Sequence, residues 1–482
     1  MRKIIKLFII FIALSVMTTG CNKYLDTPLP AGTISGENTY VSDNSVSAVV
    51  TGNLLYLVNS SLFGDGTGAN LPIITGQYVD ELLNLSTGST NNILFYADAI
   101  QPGNTAHWSE LYNGLFKVNS TLEGIRGTST ILYYKNQWLG ESYFIRGVLY
   151  FTLTNLYGDV PLALTSDYSI NNRLGRSPQS AVYQQIISDF QQAQSLLNSG
   201  YTDAYGAATS HRVRPNRYAA MGMLAKAYLY AGKWDSAEAM ADSVINNSAT
   251  YGLASIDQVF KTSSKETIWS MALPSNEEHA RQYQVYNGGM PNPIVAPNSP
   301  GNTYSVYTAL DTAFVNAFES GDNRLSNWVR TVPVSGSSPA ITYYFPNKYT
   351  SPAPGDENEI AMRLAEVFLI RAEARAHLND IAGAQADLDM VRSRAGLPNT
   401  TASDMPGLLD AILRERRVEL FTEGCNRFFD LKRTGTIDSV MTAFAPTKGV
   451  SAAWSHYMQL FPIPTNDLIQ DPNLTPNPGY QQ

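Results

Sequence analysis

Ala227-Tyr-Leu-Tyr-Ala-Gly232-Lys-Trp-Asp-Ser-Ala237 and Ala374-Arg-Ala-His-Leu-Asn379-Asp-Ile-Ala-Gly-Ala384 share one pattern. In each, two alanines stand ten positions apart, and a Gly or Asn falls five after the first. Gly and Asn tolerate the left-handed backbone that ends a helix, so each stretch spells helix, turn, helix. Small residues let the two helices approach closely. This is a tetratricopeptide-like signature, although long insertions separate the copies. The expected fold class is mostly α: a tetratricopeptide-like helical-pair scaffold with long irregular loop insertions and a few short strands.

Outward from these pairs, Lys135 to Tyr157 is apolar on most faces, with Trp138, Phe144, Ile145, Leu149 and Phe151 among its residues, and predicts a buried helix. Gly158 and Pro161 stop it. Ser177 as N-cap and Pro178 at the first helical position open the next, in which Tyr183, Ile186, Ile187, Phe190, Ala193 and Leu197 recur at helical steps. Further helices are expected around Ser45–Leu57 and from about Thr105 to Arg126. Residues 64–107, rich in Gly, Asn, Thr and Ser, read as loops. Residues 250–354 read as an irregular insertion with short strands at Glu266–Met271 and Ile341–Phe345. The last helix is expected at Leu408–Glu423, followed by a Pro-rich extended tail from Phe461.

The chain has 482 residues and a formal net charge of −8. An acidic chain lacks the basic footprint that phosphate binding needs, which argues against a nucleic-acid partner. Residues 1–20 carry Arg2, Lys3 and Lys6, then an apolar run from Leu7 to Val16, then Thr18, Thr19 and Gly20 before Cys21. That is a secretory signal with a Cys at the cleavage point. It resembles a bacterial lipoprotein signal in which Cys21 becomes the lipidated N-terminus, except that Thr18 stands where Leu is usual. Cleavage removes three basic residues and no acidic one, taking the net charge to −11. No later stretch approaches the ~20 apolar residues of a membrane span. Two Cys in all exclude a disulfide scaffold and an all-Cys metal site. Three regions follow: 1–20 as signal, 21–249 as an N-terminal helical region, and 250–482 as a C-terminal region holding the insertion.

The mature chain is similar to the SusD/RagB family of nutrient-binding outer-membrane lipoproteins of Bacteroidetes. The resemblance rests on five blocks in order. They are Trp108 to Tyr112 with Asn119; Gly140 to Arg146 through Leu156-Tyr-Gly-Asp-Val-Pro-Leu162; Leu364-Ala-Glu366 through Arg371-Ala-Glu-Ala374; Arg414-Glu-Arg416 through Glu419, Glu423-Gly, Arg427 and Asp430; and Leu460-Phe-Pro-Ile-Pro464 ending in Pro472 to Tyr480. The resemblance implies a helical scaffold with an irregular glycan-binding face, and a SusC-like TonB-dependent outer-membrane barrel as partner. It implies anchoring in the outer membrane facing the exterior, and a binding protein without catalytic residues. One alternative keeps this architecture and changes the cargo to peptides or glycopeptides; a further one is a glycoside hydrolase.

Catalytic patterns are sparse. The five His are scattered, with no H-E-x-x-H pair, so no metal site or cofactor is expected. Gly64-Asp-Gly-Thr-Gly-Ala69 matches a dinucleotide pattern formally, but Pro72 follows and no strand–helix context surrounds it. Asp80-Glu81 and Glu277-Glu278 are adjacent, so their side chains diverge. Glu415, Glu419 and Glu423 share a helical face among Arg414, Arg416, Arg417 and Arg427, which reads as an ion-pair network. Arg146, in the apolar helix, needs a partner, for which Glu366 or Glu373 is expected.

Sugar recognition combines aromatic faces for the C–H side of a ring with amide, carboxylate or guanidinium groups for its hydroxyls. The 28 Tyr outnumber the 18 Phe and suit such surfaces. Two loop segments alternate these types. The first holds Tyr78, Asp80, Asn91, Asn92, Phe95 and Tyr96; the second holds Arg281, Tyr283, Tyr286, Asn287 and Tyr304. Trp108, Tyr112, Trp138, Tyr143, Trp234 and Trp269 fall on helical or strand patterns and are expected in the core.

Overall fold

The computed structural model describes residues 39–63, 70–86, 88–104, 106–271, 273, 279–287, 294–295, 308–335, 337–450 and 452–480. Both alanine-rich stretches are helical hairpins. Arg217–Tyr230 pairs with Trp234–Ile245, and Leu364–His377 pairs with Ile381–Arg394. The corners are where the sequence puts them: Gly232 has φ +67° and Asn379 φ +63°. Ala227, Ala237, Ala374 and Ala384 are fully buried, which is what close helix approach requires. The hairpins are distant in sequence but adjacent in space, since Trp234–Ile245 packs on Leu364–His377. Trp234 of one hairpin stacks on His377 of the other at 3.8 Å between centroids, their planes 9° apart.

The array continues in both directions. Ala106–Gly127, Lys135–Tyr157, Gln179–Leu196 and Arg217–Tyr230 pack in succession on one side, and Met405–Glu419 closes the other. A main hydrophobic cluster runs from Leu54 to Leu474, drawing on residues both before and after position 250. The Lys135–Tyr157 helix is buried over almost its whole length. Its Arg146 reaches Asp189 through Nε (2.9 Å) and Nη2 (2.7 Å), and Asn119 through Nη1. The expected partners Glu366 and Glu373 instead take Lys226 and Arg433. Asp189 lies one helix away on the next packed layer, which residue spacing does not reveal.

Other boundaries shift for local reasons. The fourth long helix starts at Gln179, not Pro178. Ser177 forms a β-bridge with Val160, so the Gln179 N–H is capped by Asp159 Oδ1 at 2.8 Å. Residues 64–107 are not all loop: Leu71–Tyr78 and Thr90–Tyr96 are helices, each opened by a side-chain cap from Asn70 or Ser89. Met405–Glu419 ends before Glu423, because Thr422 (φ +59°) and Gly424 (φ +58°) turn the chain left-handed. Asn426–Arg433 and Ile437–Phe444 then follow as further helices.

The insertion holds a mixed five-stranded sheet. Leu82–Asn84, Thr308–Leu310, Thr342–Pro346, Val329–Ser335 and Ile294–Val295 lie side by side in that order. The first four pair antiparallel, and Ile294–Val295 joins Val329–Ser335 in parallel. Thr267–Ser270 pairs separately with Ile360–Arg363 at the base of the second hairpin. Leu82–Asn84, from the first loop segment, therefore supplies an edge to a sheet otherwise built by the insertion.

Candidate ligand-binding face

The first loop segment folds inward. All of Leu71–Tyr78 is buried. The Tyr78 ring meets Phe95, Phe428, Trp454 and Phe461 edge-on at 5.6 to 5.9 Å, and its hydroxyl donates to the Met458 carbonyl. Four edge-to-face contacts around one ring make a core, not a platform. Phe95 is also fully buried, and Tyr96 lies under Lys448, whose Nζ is 5.3 Å from the ring centroid. Asn92 is buried and donates to Gln77 Oε1 at 2.9 Å. Asp80 receives Arg427 through Nε (2.8 Å) and Nη2 (2.7 Å), and Arg417 Nη2 lies at 2.8 Å. Burial alone pushes the Asp80 carboxyl up, but the two guanidiniums outweigh it and hold it below the usual carboxylate range.

The second segment is a short helix, Arg281–Tyr286. Tyr286 is buried with Val285, Leu82, Leu310 and Phe314 in a separate hydrophobic cluster. Asn287 Nδ2 donates to the Tyr349 carbonyl at 2.7 Å. Arg281, Tyr283 and Asn287 are half-buried, as is Asn91 of the first segment. Tyr78, Asp80, Asn92, Phe95, Tyr96 and Tyr286 thus do not offer their faces or charges to a ligand, contrary to expectation. Ring and amide alternation identifies residues of these segments but not which way each points. Cys21, Tyr304, the Gly64–Ala69 glycine run and the Glu277-Glu278 pair lie outside the described residues.

The two segments do come together. Glu81 Oε1 accepts from the Thr422 N–H at 3.0 Å. Thr422 Oγ1 donates to Gln282 Oε1, and Gln282 Nε2 donates to Glu359 Oε1 at 2.7 Å. A polar relay therefore runs from residue 81 to the base of the second segment. Burial raises both end carboxyls, Glu81 to about 7 and Glu359 to about 7. Arg330 was not foreseen; its Nη2 donates to the Tyr286 carbonyl at 3.0 Å, and it sits over Phe345. It stands half-buried on Val329–Ser335, beside half-buried Tyr343 and Tyr344 of the neighbouring strand. Arg330 keeps the two-residue period of Val332 and Val334, and that spacing is the signal that could have placed it on a strand face.

Several buried carboxylates are committed to ion pairs. Arg324 binds Asp322, Glu415 and Glu419; Arg363 binds Glu266, Glu419 and Glu423; Arg394 binds Glu266 and Glu419. The network is present, but its cations come from distant segments. Of those expected, Arg416 turns to Asp430, Arg417 and Arg427 to Asp80, and Arg414 to Asp410. Glu359 and Glu423 do line one cavity, but it holds about 70 Å³. Among the described residues no group of three or more His, Cys, Asp or Glu is placed to hold a metal.

Comparison with known proteins settles the kinship. A model of the SusD family matches residues 163–480. The chain belongs to the SusD family. A second model, described as starch-binding associating with outer membrane, matches residues 62–229 of this SusD-family chain. SusD-like protein P2 of Formosa agariphila is 24% identical, over 98% of this chain and 99% of its own. A SusD-like protein of Bacteroides ovatus is 22% identical over 87% of this chain and 81% of its own. Among solved structures, a laminarin-binding SusD-like protein superposes with a TM-score of 0.74 at 23% identity, covering 92% of this chain and all of that one. A SusD superfamily protein of Bacteroides vulgatus gives 0.73 at 21% identity, with 92% and 100% covered. The helical-pair scaffold is thus the family fold. No helix among the described residues is long and apolar enough to cross a membrane.

Proposed function

We propose that this SusD-family chain is an outer-membrane lipoprotein, anchored through Cys21 and facing the exterior, that captures oligosaccharides and delivers them to a SusC-like TonB-dependent barrel. The family match over residues 163–480 carries the reading. The laminarin-binding neighbour and the starch-binding family description support carbohydrate as the cargo. The signal that ends at Cys21 supports the anchor. The ligand face is the end where the two loop segments meet, with Asn91, Arg281, Tyr283 and Asn287 as its partly exposed members. The buried members hold this face in shape. The protein binds without cleaving.

Calorimetry of the chain from residue 22 against α-glucans, β-glucans, mannans and xylans tests the cargo, with heat expected from at least one. Heat from peptides and none from any glycan would refute it. Palmitate incorporation in cells, abolished by Cys21→Ala, tests the anchor. Co-purification of a large barrel from solubilised outer membranes tests the transporter.

A further inference from the structure

A second cleft lies on the helical body. It has a volume of about 350 Å³, within the range of small-ligand pockets. Its floor is Trp108 and Tyr112, whose rings contact at 4.8 Å between centroids. Tyr112 is held by its hydroxyl, which donates to the Pro161 carbonyl at 2.9 Å. Two rings at the cleft are open to water: Tyr168 is 78% exposed and Phe116 54%. Between them stand amides and acids, among them Asn113, Asn171 and Asp467. Asn171 Nδ2 is used, donating to the Thr165 carbonyl at 2.7 Å.

The charge of the lining narrows the ligand. Among the described residues the cleft is lined by Asp467 and Asp471 and by no Lys or Arg. A sulfated or uronate polymer would meet two carboxylates without a cation. A neutral polyol suits every group present: C–H faces against the rings, hydroxyls against amide and carboxylate oxygens.

We propose that this cleft is a second carbohydrate subsite, specific for neutral sugars, with Tyr168 and Phe116 as stacking platforms. The site rests on the carbohydrate reading above but is separate from the loop face in its residues. Two subsites on one tethered body would hold a long chain more firmly than either alone, because the second contact is intramolecular.

The test uses the full chain from residue 22 and the neutral glycan that gives heat in the panel above, as both oligosaccharide and polymer. Tyr168→Ala and Phe116→Ala are each expected to weaken polymer binding by about three- to ten-fold. The melting temperature of the Tyr168 variant stays put because the ring is exposed. Tyr283→Ala reports on the loop face independently. Polymer affinity lowered by Tyr283→Ala but unchanged in both cleft variants overturns the subsite and leaves the carbohydrate reading standing. Wild-type silence toward every glycan overturns both. Binding of sulfated or uronate glycans that is lost in Tyr168→Ala overturns the assignment to neutral sugars, and peptide binding lost in that variant overturns the subsite altogether.

Discussion

Glu81→Gln and Glu359→Gln are expected to remove a pH dependence that the wild type carries between about pH 5 and pH 7. Both carboxyls are buried at the ends of the Thr422–Gln282 relay, and burial lifts each from 4.5 to about 7. In the unfolded chain they ionise near 4.5, so between those limits the folded state binds more protons. Stability is then fully present below about 4.5, falls as pH rises, and has been lost by about 7. The displacement corresponds to about 3 kcal/mol for each group. Carboxylates shifted the other way act outside this window: the Arg416 and Arg433 guanidiniums outweigh burial and hold Asp430 at about 2. Lys348 and Lys432, lowered by burial to about 8 and about 7, contribute with opposite sign only above it. Urea unfolding at stepped pH reads the effect as a difference between wild type and variant. The side-chain amide that Glu81→Gln introduces keeps an oxygen to accept from the Thr422 N–H, so the variant folds. Parallel stability curves for wild type and Glu81→Gln across the window would refute the reasoning, because a group already ionised in the folded state leaves no slope to remove.

Three further outcomes follow from the same physics. Asp80→Ala strands Arg417 and Arg427 beside an empty site, and is expected to cost about 3–5 kcal/mol in urea unfolding. Asn379→Val puts a β-branched residue at φ +63° and is expected to destabilise by about 1–2 kcal/mol, while Asn379→Gly is neutral or better by melting temperature. Cys425 is buried and its thiol is pushed up to about 12 by that burial, so iodoacetamide at about pH 8 leaves it unmodified in the native chain and labels it in concentrated urea.

The scaffold was legible because its determinants are local. An alanine spacing and one left-handed residue define each hairpin, and both signals lie within a dozen positions. That the two hairpins would stack across the insertion was not legible, since nothing in either stretch names its neighbour. The same limit explains the ion pairs. Arg146 visibly needed a partner, but Asp189 became available only once Gln179–Leu196 packed on Lys135–Tyr157. The tail was read as extended, but Thr465–Gln470 within it is a helix, and its role is specific: Asn477 Nδ2 donates to the carbonyls of Tyr157 and Phe461, tying the end of the chain to the end of the long buried helix.

The two loop segments were legible by their alternation of rings and amides but illegible in orientation, for a physical reason. Segments without long helices of their own must be fastened to the body, and large rings are the strongest fasteners available. Tyr78, Phe95 and Tyr286 serve that purpose, each fully or almost fully buried. Composition that suits a sugar platform equally suits a staple, so residue type alone cannot separate them. What the stapling achieves is preorganisation. Asp80 is clamped by two guanidiniums, Glu81 reaches Glu359 through Thr422 and Gln282, and the two segments share a hydrophobic cluster. Each side chain already fixed before binding spares about 0.5–1.5 kcal/mol of ordering cost when a ligand arrives. On the reading proposed here, the half-buried Asn91, Arg281, Tyr283 and Asn287 therefore act from a base that does not move. Loosening that base with Gln282→Ala is expected to weaken glycan binding in calorimetry, although Gln282 itself is not among the groups assigned to the ligand.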